Sequence, residues 1–309
     1  MNIEISTELI RQDLENYFEY GAHTISEIGG GTVGYTYNID DKYFFKIYDT
    51  RLAITYRCTE HLQNQLTVLD ILHTQTELED RICYPIKTLS GEYFFTHDNI
   101  IGVLFSLING KVIGFENKYS KNDIAQLSNI VKTLHSIDTT PFTTLCPKED
   151  FCLDFLNELE VIIKTKTREL PGEFYELIAR FSNVIIEKIS HTKSLAQRIK
   201  NENLPFVLCH TDIHGGNIMK DSSEKLYVDW ENVILSPKKA DLFIFADTDY
   251  FPMFCNETSA DAIAYYKIGR DLEDIWEFLR SLLRKEFDKE KQAEVYCHLT
   301  RILKHLSNI

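Results

Sequence analysis

One stretch of the chain, from Phe206 to Asp229, restricts the possible folds more than any other. Three short apolar runs, FVLC, IM and LYV, alternate with the polar stretches HTDIHGGN and KDSSEK. Apolar runs of this length, each ended by turn-forming residues, predict a strand, a turn, a second strand, a turn and a third strand. Gly215 and Gly216 allow the first turn to be tight. The stretch therefore predicts a compact β unit in a part of the chain whose other patterns are helical.

Asp and Asn side chains, whose oxygens can bind a metal, lie at the ends of these predicted strands. Asn217 follows Asp212 by five positions, and Asp229 follows the third apolar run. Asp and Asn are frequent in turns for structural reasons alone, so an isolated pair at this spacing would predict only a turn. Between strands, an Asp, an Asn and a second Asp in this order are typical of phosphoryl transfer by kinases. There the first Asp accepts or orients the proton of the attacking hydroxyl, while the Asn amide oxygen and the second carboxylate bind a divalent metal.

The residues FVLCHTDIHGGNIM and LYVDWENVILSPKKADLFIF resemble the aminoglycoside phosphotransferase family of small-molecule kinases, especially its spectinomycin phosphotransferase branch. They differ from eukaryotic protein kinases at Thr211, which is Arg there, and at Trp230-Glu231, which is Phe-Gly there. The resemblance implies an α+β fold of the bilobal protein-kinase type, with a small β-rich N-terminal lobe and a larger helical C-terminal lobe. It also implies Asp212 as the catalytic residue, Mg²⁺ bound by Asn217 and Asp229, and ATP or GTP as the phosphate donor.

The remaining patterns change from strand-like to helical along the chain. Apolar spacing predicts helices at 7–20, 54–74, 122–137, 148–165, 173–200, 239–246, 258–285 and 288–307. Short strands bounded by turn residues are predicted at 23–28, 34–39, 43–48, 82–88, 92–96 and 99–107. Segregated strands and helices indicate the α+β class. We therefore expect a nucleotide-binding lobe at 1–108 and a helical catalytic and substrate-binding lobe at 109–309.

Several features of the first lobe point to nucleotide binding. A glycine-rich loop lies between two strand-like segments, and its N–H groups could bind phosphates, although such a loop is more often an ordinary turn. The residues of this loop that we assign to the nucleotide are Gly29, Gly30, Gly31, Thr32 and Gly34. By resemblance, Lys46 in the strand FFKIY contacts the α- and β-phosphates and pairs with the next helix. Its partner there is either Glu60 or Gln63, which share a helix face. The resemblance also assigns to the nucleotide Phe105, Ser106, Leu107 and Ile108.

A late helix carries the residues expected to bind the acceptor. Arg270, Glu273 and Asp274 lie three or four positions apart and so share one face. Their segment resembles a late helix of the spectinomycin phosphotransferase branch. Facing inward, this face could bind the amino or hydroxyl groups of a polar substrate, whereas facing outward it would be a solvated stripe. Together with Asp212 and Glu231, these residues form the expected substrate site.

Charge and composition narrow the range of partners. The formal net charge of −14 disfavours a broad nucleic-acid interface, which needs Lys and Arg, and suits a cationic substrate. Seven cysteines without a C-x-x-C pair indicate a reducing cytosol rather than a disulfide framework or a zinc site. The N-terminus does not resemble a signal peptide, and every apolar run is shorter than the roughly 20 residues of a membrane span. We therefore expect a cytoplasmic protein that binds a nucleotide and a small, cationic or neutral molecule, with no nucleic-acid, membrane or obligate protein partner.

Two classes of function remain open at this stage. The first is a kinase that phosphorylates a hydroxyl of an aminoglycoside or an aminocyclitol such as spectinomycin, with choline, homoserine or sugar kinases of the same fold as alternatives. The second is a pseudokinase that binds a nucleotide without transferring phosphate. The residues Lys46, Asp212, Asn217 and Asp229 all have the chemistry that transfer requires, which favours the enzyme.

Overall fold

The computed structural model describes residues 5–28, 34–51, 55, 59–114, 118–230, 233–255 and 259–308. Two compact units are present. The first joins the residues up to Lys148 with Val207–Leu235, and the second joins Glu149–Phe206 with the residues from Ser236 onward. The expected lobe boundary after Ile108 stays a prediction. The compact units follow a different division, because the segments 109–148 and 207–235 group with the N-terminal residues.

An antiparallel sheet of five strands, in the order β1-β2-β3-β5-β4, forms the N-terminal part of the first unit. The strands are β1 (Ile25–Glu27), β2 (Tyr35–Ile39), β3 (Tyr43–Asp49), β4 (Phe95–His97) and β5 (Ile100–Ser106). The turn between β2 and β3 has positive φ at Asp40 and Asp41, a conformation that Asp tolerates better than most residues. Helix α1 (Thr7–Phe18) shares a core with the sheet, in which Leu14, Ile39 and Phe45 are buried.

The predicted strand at 82–88 is wrong. In the structure this segment makes only isolated bridges, from Ile82 to Val228 and from Pro85 to Phe105. Proline has no N–H group, so a continuous ladder cannot pass through Pro85. The segment therefore runs beside β5 without becoming a sixth strand of its sheet.

The β unit predicted around residues 206–229 is present. Its strands are β7 (Phe206–Cys209), β8 (Ile218–Asp221) and β9 (Leu226–Val228). Two strands that the sequence did not predict join them. Strand β6 (Gly110–Val112) pairs with β8 to give the order β6-β8-β9, and β10 (Ile234–Pro237) pairs with β7. Both are short and lack a clear alternation of apolar and polar residues, so the local pattern carries little signal.

Two further helices belong to the first unit, α2 (Leu62–Gln75) and α3 (Lys121–Ser136). Helix α3 begins at a capping box, in which the Ser120 hydroxyl accepts the N–H of Asp123 and the Asp123 carboxylate accepts the N–H of Ser120. Lys220 of β8 donates to the same carboxylate at 2.7 Å. This ion pair ties the start of α3 to the strand that follows the polar turn.

Helices dominate the second unit. They are α4 (Phe155–Val161), α5 (Gly172–Asn201), α6 (Lys239–Leu242), α7 (Phe251–Phe254), α8 (Ala260–Leu283) and α9 (Lys289–Asn308). Apolar residues spaced three or four apart on α5, α8 and α9 form one buried core, which includes Ile178, Leu272 and Leu299. Each fully buried side chain of this kind contributes about 1.5–3 kcal/mol relative to an exposed one. Among the described helices, none is both long enough and apolar enough to cross a membrane.

Two predicted helices of this unit have different bounds in the structure. The helix expected at 148–165 starts only at Phe155 and continues beyond Val161 as a π-helical turn over Ile162–Lys166. The helix expected at 239–246 is α-helical only to Leu242 and then tightens to a 3₁₀ turn. Helix ends often change to such forms, and the apolar spacing alone does not distinguish them.

Candidate active site

The hairpin of β8 and β9 brings the two expected metal ligands together. Ile218 pairs with Val228 in this antiparallel hairpin. Directly beyond that pair, the N–H of Asp229 donates to the main-chain carbonyl of Asn217 at 2.8 Å. Asn217 and Asp229 therefore lie opposite each other at the open end of the hairpin.

The turn before the hairpin places Asp212 beside Asn217. Thr211 has a φ of 70°, a left-handed conformation that turns the chain sharply after β7. The side-chain nitrogen of Asn217 donates to the main-chain carbonyl of Asp212 and to its carboxylate Oδ2, each at 3.0 Å. Because that nitrogen faces Asp212, the amide oxygen of Asn217 points away from the carboxylate.

The donor set at this turn suits a hard divalent cation. The Asp212 side chain is 39% exposed, and Asp229 is also exposed, so both carboxylates can reach a bound ligand. Carboxylate and amide oxygens are the protein ligands that Mg²⁺ prefers. Since the side-chain nitrogen of Asn217 binds Asp212, its amide oxygen is the atom that can bind a metal. The residues therefore fit the expected metal, which would neutralise phosphate charge when bound.

Buried His210 links the main chains of the two aspartates. It is only 2% exposed. Its Nδ1 accepts the N–H of Asp212 at 3.3 Å, and its Nε2 donates to the carbonyl of Asp229 at 2.5 Å. A neutral imidazole with its proton on Nε2 makes both bonds at once. The ring also packs edge-on against Trp230, with 4.9 Å between ring centroids. His210 therefore braces the loop.

Lys46 lies on the third strand of the five-stranded sheet, and its contact with phosphates stays a prediction. On β3 it pairs with Thr36 of β2 on one side and with Val103 of β5 on the other. Its ammonium group is 5.2 Å from the ring centroid of Tyr48, which is within the range of a cation–π contact. Because β3 is hydrogen-bonded to a strand on each side, the backbone of Lys46 is held in a fixed position.

Gly34 is the one member of the expected phosphate loop within the described residues. Its φ is +83°, and a Cβ atom there would lie 2.6 Å from the carbonyl oxygen of Ile47. Both the dihedral angle and the close approach exclude a larger residue. Gly29, Gly30, Gly31 and Thr32 lie outside the described residues, and so does Glu231 of the expected substrate site. Their roles stay predictions.

The segment assigned to the nucleotide, Phe105 to Ile108, forms the end of β5 and the residues directly after it. Ser106 is held from the side by Tyr84. The Ser106 N–H donates to the carbonyl of Tyr84 at 2.9 Å, and the Tyr84 N–H donates to the Ser106 hydroxyl at 3.1 Å. The N–H of Leu107 donates to the carbonyl of Lys42 at 3.1 Å. These bonds fix the path of the segment, and its contact with a nucleotide stays a prediction.

The helix partner of Lys46 also stays a prediction. Helix α2 begins at Leu62. Glu60 therefore lies in the turn before the helix, where its side chain is exposed. Gln63 is exposed in the first turn of the helix. The start of the helix predicted at 54–74 falls partly on residues that the structure does not describe.

The expected substrate face is a cluster of charges on α8. The Arg270 guanidinium lies 3.3 Å from a carboxylate oxygen of Asp274 and 3.8 Å from one of Glu273. The exposed fractions of these side chains are 44% for Arg270, 42% for Glu273 and 25% for Asp274. One turn earlier, the Tyr266 hydroxyl is 2.9 Å from that of Ser236. The second unit therefore offers two partly exposed carboxylates and one guanidinium on one helix face.

Residues 24–282 match the model of the phosphotransferase enzyme family, APH. The chain belongs to this family. Solved structures have the same fold. Spectinomycin phosphotransferase APH(9)-Ia, in complex with ADP and spectinomycin, has a TM-score of 0.78 at 20% identity, over 99% of this chain and 100% of that one. The ADP-bound aminoglycoside phosphotransferase APH(2'')-Ib has a TM-score of 0.60 at 15% identity, over 98% and 99%. No curated protein shows a significant sequence match.

These matches confirm the α+β, protein-kinase-like fold of this phosphotransferase. A further structure, the GDP complex of aminoglycoside 2'-phosphotransferase-IIIa, agrees with a TM-score of 0.69 at 11% identity, over 98% of this chain and 100% of that one. The antiparallel N-terminal sheet and the mostly helical remainder are the features that the sequence patterns predicted.

Cys83 contacts the segment that is expected to bind the nucleotide. Its thiol donates to the carbonyl of Ser106 at 2.7 Å. Burial raises the pKa of the thiol to about 12, the charge of Asp229 adds to the rise, and the charge of Lys46 opposes it. Cys83 stands in an irregular segment without a motif, so nothing in the local sequence marked it.

Proposed function

We propose that this phosphotransferase moves the γ-phosphate of ATP or GTP to a hydroxyl group of a small polar molecule. The observation that carries the proposal is the joining of Asp212, Asn217 and Asp229 by hydrogen bonds around one turn. The Asn217 amide nitrogen binds the Asp212 carboxylate, while the carboxylates of Asp212 and Asp229 remain accessible to a ligand.

Each residue of this set has a role that follows from its position. Asp212 accepts or orients the proton of the acceptor hydroxyl, since one of its oxygens is held by Asn217 and the side chain is partly exposed. Asn217 and Asp229 supply the oxygens for Mg²⁺. Lys46 contacts the phosphates of the nucleotide and offsets their charge. Catalysis then consists mainly of positioning and charge neutralisation.

The acceptor class that fits best is an aminoglycoside or an aminocyclitol such as spectinomycin. The net charge of −14 attracts a cationic molecule over long range. The carboxylates of Glu273 and Asp274 can meet amino groups, while Arg270 between them limits the local negative charge. The fold similarity to the spectinomycin complex supports the same class. Phosphorylation of such an antibiotic in the cytoplasm would make the host resistant to it.

A transfer assay tests the proposal. The purified protein is incubated with Mg²⁺, with ATP or GTP, and with spectinomycin, kanamycin, choline, homoserine or a simple sugar, and the products are analysed by mass spectrometry. We expect an aminocyclitol or aminoglycoside to gain one phosphoryl group on a hydroxyl. Transfer to choline, homoserine or a sugar alone would replace the acceptor class but keep the reaction. Nucleotide binding without transfer to any acceptor or to water would contradict the proposal.

A further inference from the structure

His214 lies in the same turn as Asp212 but has no part in the proposed metal site. The ring caps the short 3₁₀ helix Gly215–Asn217, because its Nδ1 accepts the N–H of Gly216 at 2.9 Å. The side chain is 20% exposed. Its other nitrogen, Nε2, lies 3.5 Å from Oδ1 of the Asp212 carboxylate.

The cap determines which nitrogen of His214 carries the proton. An imidazole nitrogen that accepts a hydrogen bond has no hydrogen of its own. Since Nδ1 accepts from Gly216, the proton of the neutral ring sits on Nε2, and the resulting N–H faces Asp212. A backbone hydrogen bond to one nitrogen thus makes the other a donor that lies 3.5 Å from the carboxylate.

The two oxygens of the Asp212 carboxylate are then each faced by an N–H group. Oδ2 accepts from the side chain of Asn217 at 3.0 Å, and Oδ1 faces Nε2 of His214 at 3.5 Å. A carboxylate held from one side only can rotate about its last bond, since that rotation has a broad energy profile. Contact from both sides restricts the rotation and fixes the direction in which the remaining lone pairs point.

We propose that His214 is a positioning residue for phosphoryl transfer, which holds the Asp212 carboxylate in the orientation that meets the acceptor hydroxyl. This inference rests on the proposed function and deepens it. The competing explanation is that His214 only caps the 3₁₀ helix. A cap affects folding stability, whereas a positioning contact affects turnover without weakening nucleotide binding, so the two can be separated.

Three substitutions separate the two roles. Asn is a preferred capping residue, so His214→Asn keeps an acceptor for Gly216 but has no group in the place of Nε2. His214→Gln is longer and offers an N–H near the place of Nε2. His214→Ala removes both functions. His191→Asn, on an exposed position of α5, controls for the loss of an imidazole elsewhere.

The measurements are Tm, kcat and the KM for ATP, with Mg²⁺ present and with spectinomycin or water as the phosphate acceptor. We expect His214→Asn to stay within about 3 °C of the wild-type Tm. We expect its kcat to fall at least about tenfold with little change in the KM for ATP, since small misplacements of a reacting group are costly. His214→Gln should recover at least about a third of the lost rate. A His214→Asn variant with wild-type kcat, or a His214→Gln variant as slow as His214→Asn, would overturn the proposal.

Two controls keep this test independent of the proposed function. If the wild-type protein transfers phosphate neither to an acceptor nor to water, the proposed function fails, whereas an inactive Asp212→Asn with a fully active His214→Asn refutes only the role of His214. The tautomer gives a measurement that needs no activity. A long-range ¹H–¹⁵N spectrum of the protein, assigned by loss of the signal in His214→Asn, should show the proton on Nε2. A proton on Nδ1 of His214 would contradict the proposal.

Discussion

At the scale of single residues, the hydrogen bonds around Asp212 explain why five positions separate it from Asn217. The left-handed backbone of Thr211 and the cap by His214 bend the chain so that the Asn217 amide reaches back to Asp212. Buried His210 joins the main chains of Asp212 and Asp229, so the aspartates cannot shift independently. The spacing of five positions is therefore explained by the hydrogen bonds between Asp212 and Asn217, which a different loop length would break.

Loss of a metal ligand should change the Mg²⁺ requirement of the enzyme. Asp229→Ala and Asn217→Ala remove one proposed oxygen ligand each, so the Mg²⁺ concentration for half-maximal activity should rise at least about tenfold, and turnover should slow. The exposed Asp249 of the second unit gives a control, Asp249→Ala, which should leave the Mg²⁺ dependence unchanged. Titration of activity against Mg²⁺ at fixed ATP gives the answer. Unchanged metal dependence in Asp229→Ala would show that Asp229 is not a ligand.

At the scale of elements, the sequence predicted those that depend on nearby residues. The unit of β7, β8 and β9 was predicted because the apolar runs and turns are adjacent, and the long helices were predicted from their apolar spacing. Strand β6 was missed because it pairs with β8, more than a hundred positions later, and carries little pattern of its own. The contact of Cys83 with Ser106 was missed for the same reason, since the two residues are 23 positions apart and only the folded chain brings them together.

The junction between α3 and β8 should give the protein a measurable dependence on pH. Burial works to raise the pKa of Asp123, but the bonds from Lys220 and Ser120 outweigh it and hold the pKa below the ordinary value of 3.8. A carboxyl with a lowered pKa stabilises the fold above its unfolded pKa, and this stabilisation is lost as the pH falls through the folded pKa. Wild-type stability should therefore drop below about pH 4.

Asp123→Asn tests this junction. It should lower the free energy of unfolding near pH 7 by about 1–3 kcal/mol, because it leaves Lys220 without its carboxylate partner. It should also flatten the acid limb of the stability curve below about pH 4. Chemical denaturation over a range of pH measures both effects, with the exposed Asp249→Asn as the control. An acid limb as steep as that of the wild type would show that Asp123 does not contribute to it.

At the scale of the whole molecule, net charge should affect how strongly a cationic acceptor binds. The net charge of −14 gives a long-range attraction for polycations, which ions screen over about 8 Å at physiological ionic strength. The sequence predicted two lobes, but it did not predict that the segment 207–235 groups with residues far earlier in the chain. The net charge, by contrast, is known from the sequence alone, and its effect on acceptor binding can be tested directly.

Salt should weaken acceptor binding more than nucleotide binding. Raising NaCl from about 50 to 300 mM, at constant free Mg²⁺, should raise the KM for a cationic acceptor more than the KM for ATP. Asp274→Asn should reduce that difference if Asp274 contacts the acceptor, whereas Asp249→Asn removes the same charge from another exposed position and should reduce it less. An acceptor KM that is independent of salt would point to a neutral or singly charged acceptor instead of an aminoglycoside.

The central claim is that Asp212 acts on the acceptor hydroxyl, and single-turnover transfer by Asp212→Asn tests it most directly. Asn keeps the size of the side chain and removes its charge, so the affinity for ATP should stay close to that of the wild type. The rate of transfer should fall by about 10²–10⁴-fold, as expected for the loss of a general base. A variant that binds ATP normally and retains more than roughly a tenth of the wild-type rate would contradict the claim.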